Sequence, residues 1–228
     1  MRKRVFNWQG QGFVYLGLEG QPGKPVEQQA KGLFDRAAAE LKALGLAIDK
    51  NVVRSRVFGR TRAARDTISE VRGRAFTGQG RAATSSFISP DHFESDADVA
   101  LDLFAMSPPG DGPGRKVVEH EPKQPFIRYL TWGPMVFLAG MTCETKPTVK
   151  EQYEDILPRA GKLLKEAGCD WGNVVGISFF LHKEQDPDAM LTGVAKTVPV
   201  SLATAEVEFV EGYSKPNKLL EIEITARR

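Results

Sequence analysis

Two stretches of the 228-residue chain decide how it is organised. The first reads Leu41-Lys-Ala-Leu-Gly-Leu-Ala-Ile-Asp-Lys-Asn-Val-Val53 and the second Leu164-Lys-Glu-Ala-Gly-Cys-Asp-Trp-Gly-Asn-Val-Val175. Gly45 matches Gly168, and after a one-residue gap Asn51-Val-Val matches Asn173-Val-Val. The match extends outward. Phe13-Val-Tyr-Leu-Gly pairs with Val136-Phe-Leu-Ala-Gly upstream, and Ala83-Thr-Ser-Ser-Phe with Ala203-Thr-Ala-Glu-Val downstream. Strand-like runs, Val99 to Met106 and Leu219 to Ala226, close the two copies. Self-similarity on this scale means one architecture written twice.

Each copy carries the same local signals. A hairpin opens it, over Phe13 to Leu18 in the first and Ile127 to Leu138 in the second. A long amphipathic helix follows. Ala30, Leu33, Phe34, Ala37, Leu41 and Leu44 recur at helical spacing, as do Tyr153, Ile156, Leu157, Ala160, Leu163, Leu164 and Ala167. Gly45 and Gly168 stand where a helix ends in a left-handed residue. Strands at Val52–Phe58 and Val174–Leu181 come next, then weaker helices near Thr61–Val71 and Asp186–Val198, then two closing strands. The order β-β-α-β-α-β-β predicts an α+β fold, with each mixed sheet carrying two helices on one face. The bare face of each sheet then needs a cover, which points to domain–domain packing.

Ser107-Pro-Pro-Gly-Asp-Gly-Pro-Gly-Arg115 separates the copies, at a proline and glycine density that sustains neither a helix nor a central strand. Residues 1–106 are expected to form the first domain, 107–124 the linker and connecting chain, and 125–228 the second domain. Hydrophobic residues make up 41% and charged residues 26%, which is the composition of a globular protein rather than a disordered or fibrous one. Thirty-one basic against 29 acidic residues leave a formal charge of +2, so no global field calls for a polyanionic partner. Two cysteines, Cys143 and Cys169, exclude a disulfide-dense scaffold and a four-cysteine zinc site. His92, His120 and His182 show no ligand spacing, so neither a metal nor another cofactor is implied. The N-terminus is too polar for a secretory segment, and no apolar run approaches the ~18 residues of a membrane span. A cytoplasmic location is the expectation, with no membrane partner.

The order of elements, together with its local words, resembles the Rid family (YjgF-like, the reactive-intermediate deaminases once labelled L-PSP endoribonucleases). The carrying residues are Pro125-Phe126 with Gly133-Pro-Met-Val-Phe-Leu-Ala-Gly140, Lys162 to Val175, and Leu220-Glu-Ile-Glu-Ile224. The resemblance implies two tandem chorismate-mutase-like domains, closed homo-oligomers (a homotrimer is favoured) with clefts between domains, and hydrolysis of enamines and imines to a keto acid and ammonia. It also implies a carboxylate-clamping arginine, a glutamate on the last strand that handles water, and a tyrosine and a serine lining the cleft.

Against that pattern, Glu221 matches the glutamate, and Asp102 is read as its first-half counterpart. The arginine word becomes Ser201-Leu-Ala203-Thr204 in one half and Arg81-Ala-Ala83-Thr84 in the other, with alanine in the arginine's place. Phe126 stands at the tyrosine position and Ala139 at the serine position. Loss of a bidentate clamp costs ~2–5 kcal/mol of substrate affinity. A replacement is available between residues 54 and 81, where eight arginines meet only Asp66 and Glu70, 8 − 2 = +6. Arg54 and Arg56 share a strand face and are candidates to hold an anion; an inter-subunit ion pair and a solvated basic face are the alternatives. Cys143 follows the second hairpin near the implied cleft, either as a nucleophile or as a small inert core residue. The expected function is a hydrolase of deaminase type acting on a small, anionic, nitrogen-containing metabolite. The alternatives are a ligand-binding protein without turnover and, least favoured, RNA binding or cleavage.

Overall fold

The computed structural model describes residues 1–110 and 113–228; Asp111 and Gly112 of the expected linker lie outside the described residues. In the first half the strands are β1 (Arg2–Trp8), β2 (Gln11–Glu19), β3 (Val52–Gly59), β4 (Ala83–Ile88) and β5 (Val99–Met106), and the helices α1 (Val26–Ala43), the short α2 (Ile48–Asn51) and α3 (Arg62–Ala75). The second half holds β6 (Lys116–Val118), β7 (Tyr129–Trp132), β8 (Met135–Leu138), β9 (Met141–Thr142), α4 (Val149–Glu166), β10 (Val174–His182), α5 (Pro187–Thr197), β11 (Glu206–Val210) and β12 (Leu220–Arg227).

The helices form where the apolar stripes lie. Ala30, Leu33, Phe34, Ala37 and Leu41 of α1 are buried, as are Tyr153, Ile156, Leu157, Ala160 and Leu164 of α4. Thr148 caps α4 by accepting from the Glu151 N–H, and Thr61 caps α3 by accepting from Ala64. Past α1 and α4, Gly45 (φ +73°) and Gly168 (φ +79°) take the left-handed conformation that side chains resist. Lys116–Val118, read from sequence as connecting chain, is a strand: it pairs antiparallel with Tyr129–Thr131, so the second sheet begins inside that segment.

One sheet has the order β1-β2-β5-β3-β4 and the other β11-β10-β12-β8-β7-β6, with β9 attached to β12. All pairings are antiparallel except β3 with β4 and β10 with β11. The chain is therefore α+β, with one sheet and its helices in each half. Apolar cores fill the space between α1, α3 and the first sheet and between α4, α5 and the second. The other faces of the two sheets pack on each other. Phe13, Val53 and Met106 meet Leu130, Met135 and Phe137 at one end of this interface, and Phe58 and Phe87 meet Phe180, Val210 and Tyr213 at the other. Each half thus covers the other's bare sheet face.

Edge strand β4 crosses the second sheet. Thr84 O accepts from Gly140 N (3.3 Å), Ser85 meets Glu223 of β12, Phe87 stacks on Phe180 of β10 (4.1 Å), and Ile88 bridges to Gly212 beyond β11. Successive strands met by one strand indicate crossed rather than aligned sheet packing. Between the two apolar ends runs a buried polar seam of Arg54, Arg56, Ser85, Glu221, Glu223 and Thr225.

Candidate active site

Alternation along β12 sends Leu220, Ile222 and Ile224 to the helix side and Glu221 and Glu223 into the seam. On β3, a register shift between Val52 and Arg54 turns both Val53 and Arg54 toward the second half. Arg56 keeps the same face two residues on.

The two glutamates have opposite surroundings. Glu223 Oε2 accepts from Arg56 Nε (2.9 Å) and Nη2 (2.7 Å) and lies 3.1 Å from Arg54 Nη1, while its Oε1 accepts from Ser85 Oγ (2.5 Å). Burial alone would raise this carboxyl; Arg54 and Arg56 outweigh it and hold Glu223 down at about 2. Glu221 has no such partner. Burial pushes it up to about 7, and the negative charge of Glu223 adds to the rise; Ser85, Lys218 and Arg72 pull down without cancelling it. The single proton of Ser85 Oγ goes to Glu223, so toward Glu221 this hydroxyl offers lone pairs, which a protonated Glu221 can donate to. One glutamate is a fixed counter-ion and the other is poised to exchange a proton near neutrality.

Glu221 faces a cavity of about 350 Å³ built by both halves. The second half contributes Glu221, Gly140, Thr142, Lys218 and Phe126; the first contributes Ser85, Thr84, Arg72 and Arg65. Arg72 reaches in from α3, donating to the carbonyl of Ser85 (2.5 Å), and Arg65 donates to Ser86 Oγ (2.7 Å). Burial lowers Arg72 to about 10, with Arg65 adding to the effect, and burial also lowers Lys218. The Nε of Arg65 is buried without a hydrogen-bond partner. The site therefore joins one carboxyl near neutrality to a group of cations, with a hydroxyl between strands. That arrangement can hold an anion and move a proton to or from water beside it.

The expected site residues fall in several places. Glu221 and Phe126 line this cavity, with Phe126 45% exposed at its edge. Arg54, Arg56 and Thr204 line a second cavity between the sheets. Asp102 lines neither; it is buried elsewhere, accepting from Tyr15 Oη (2.9 Å) with Arg2 and His92 each 3.9 Å away. Burial raises Asp102. Its reading as the counterpart of Glu221 is corrected by register. Arg56 faces Asp102, its repeat-mate Ser178 faces Glu223, and Phe180 faces Glu221 while Phe58 faces Ala100. Asp102 thus corresponds to Glu223, and Ala100 to Glu221. Ala139 packs in the inter-sheet core, and Ala203 sits in the turn before β11. Cys143 is buried in the core under α4, its Sγ 3.5 Å from Thr145 Oγ1. Ser85 and Lys218 were not singled out from sequence. Ser85 had a signal, since it lies two residues past Ala83 and so on the same strand face; Lys218, in the turn before β12, had none.

A family model for Endoribonuclease L-PSP matches residues 118–228. The match covers 111 of the 228 residues, so it is the second half that is similar to this family. No curated protein matches the sequence. Among solved structures, a chorismatase is similar over 97% of this chain and 78% of its own, at 14% identity and a TM-score of 0.63. That likeness is one of fold, and it spans both halves. A member of the YjgF/YER057c/UK114 family from Mycobacterium tuberculosis matches half of this chain and all of its own, at 23% identity and a TM-score of 0.45. A YjgF-family protein from Neisseria meningitidis matches half of this chain and 94% of its own, at 26% identity and 0.43.

Proposed function

We propose that the chain is a hydrolase of the deaminase type, acting at a carbon–nitrogen double bond of a small anionic metabolite in the cavity between β4 and β12. The observation that supports this best is Glu221: a buried carboxyl held near neutrality, beside Arg72 and Lys218, in a cavity that both halves are needed to build. Glu221 as carboxylate takes a proton from water, and the water oxygen bonds to the imine carbon while the nitrogen gains a proton. The resulting carbinolamine expels ammonia and leaves a carbonyl. Arg72 and Lys218 replace the missing clamp arginine by holding the substrate's anionic group. Family resemblance and tandem domains support a homotrimer as the assembly.

The buried arginines weigh against RNA as the substrate. Arg54, Arg56, Arg65 and Arg81 are each at most 9% exposed, so much of the basic window is spent inside the molecule rather than displayed to a backbone of phosphates. Ligand binding without turnover remains the second reading, favoured by Ala83 and Ala203 in the clamp positions.

The test is ammonia release from imines generated in situ by an amino-acid oxidase. Glu221→Gln is expected to lower the rate by about 10²–10⁴-fold, the usual contribution of a positioned base. Arg72→Ala is expected to raise KM far more than it lowers kcat. Saturable binding with no product in wild type would leave the binding reading; full activity in both variants would remove the proposal.

A further inference from the structure

The second cavity, about 490 Å³, lies where the crossed sheets splay apart, between the β1–β2 hairpin and strands β10 and β11. It is separate from the Glu221 cavity and shares no lining residue with it. Its wall is a run of rings. Phe6 stacks on Phe13 (5.8 Å), Trp8 meets Phe13 edge-on (5.6 Å), and Phe13 meets Phe137 edge-on (6.3 Å). Opposite them, Gly176 leaves room for the Trp8 ring, which a Cβ there would approach to 3.2 Å.

The floor is charged. Arg54 and Arg56 share one buried carboxylate, Glu223, and the other carboxylate of the lining, Glu206, stands on the exposed rim. Arg54 spends Nη2 on the carbonyls of Leu138 and Ile224, both at 3.1 Å, and holds Nη1 3.1 Å from Glu223 Oε2. Arg54 is 4% exposed. Volume, stacked rings and a floor carrying two guanidiniums are the features of a small-molecule site rather than of a packed core.

We propose that this cavity binds a flat aromatic monoanion, its ring system among Phe6, Trp8 and Phe13 and its anionic group toward Arg54 and Arg56. The site is independent of the hydrolytic reading, because none of its residues belongs to the Glu221 cavity.

The experiment is a titration of the full-length protein with 8-anilinonaphthalene-1-sulfonate, followed by dye fluorescence and by quenching of Trp8. Phe6→Ala thins the wall and Thr204→Trp fills the mouth, and neither touches Glu223; melting curves check that both variants fold. Saturable binding at one site per chain is expected, weakened roughly tenfold or more in both variants and unchanged in Arg72→Ala. N-phenyl-1-naphthylamine, the uncharged analogue, is expected to bind at least about tenfold more weakly. Non-saturable binding, equal binding in wild type and both variants, loss in Arg72→Ala, or equal affinity for the uncharged analogue would each overturn the proposal.

Discussion

Glu221 and Glu223 are two residues apart on one strand face, yet their neighbours drive them in opposite directions. Glu223 is neutralised by two guanidiniums, and removing its charge leaves Arg54 and Arg56 buried and unpaired. Glu223→Gln is therefore expected to cost about 3–5 kcal/mol in denaturant unfolding, the range for breaking a buried pair. Its sign with pH follows from a lowered folded value. The contribution is complete above the ordinary carboxyl range and is lost as pH falls toward about 2. Glu221 has the opposite sign: its folded value is raised, so its contribution is largest below the ordinary range and is lost as pH rises through about 7. Gly140 gives a third residue-level expectation. A Cβ there would collide with Glu221 Oε1 and Ser85 Oγ, so Gly140→Ala should cost ~1–3 kcal/mol by overpacking and depress turnover as well, measured by unfolding and by ammonia release.

At the scale of elements, β4 positions the chemistry. It is an edge strand of its own sheet, and by crossing β12 it brings Ser85 to the glutamates while α3 behind it supplies Arg72. Much of this was legible in sequence. The apolar stripes of α1 and α4, the glycines at 45 and 168, and the alternation of Leu220 to Ile224 led directly to elements and faces. Asp102 shows where that reading stops. A one-residue slip in strand register flips every side chain, but a two-residue slip preserves the face. Periodicity therefore cannot distinguish Asp102 from Ala100 as the partner of Glu221; only the pairing of β5 with β3 does. The arginine window met a similar limit. Spacing put Arg54 and Arg56 on one face, but whether a guanidinium is spent on Glu223 or left for a ligand depends on strands more than 80 residues away.

At the scale of the molecule, the repeat produces four layers: helices, sheet, sheet and helices. The need to cover each bare sheet face was readable from the element order, whereas the partner, the other half of the same chain, was not. The exposed edge of β1, with Val5 65% and Phe6 37% exposed, remains open to further association. For the proposed homotrimer, light scattering should give 3 × 25.1 kDa, or about 75 kDa; a mass of one chain would refute that assembly. The central claim is that Glu221 is the base of a cavity shared between the halves. Its most direct test is the rate of ammonia release between about pH 5 and 9, in wild type and Glu221→Gln, on an imine generated in situ. The rate in wild type should rise with pH through about 7, as Glu221 ionises, while the variant stays low and flat. Equal rates and the same pH profile in both proteins would contradict it.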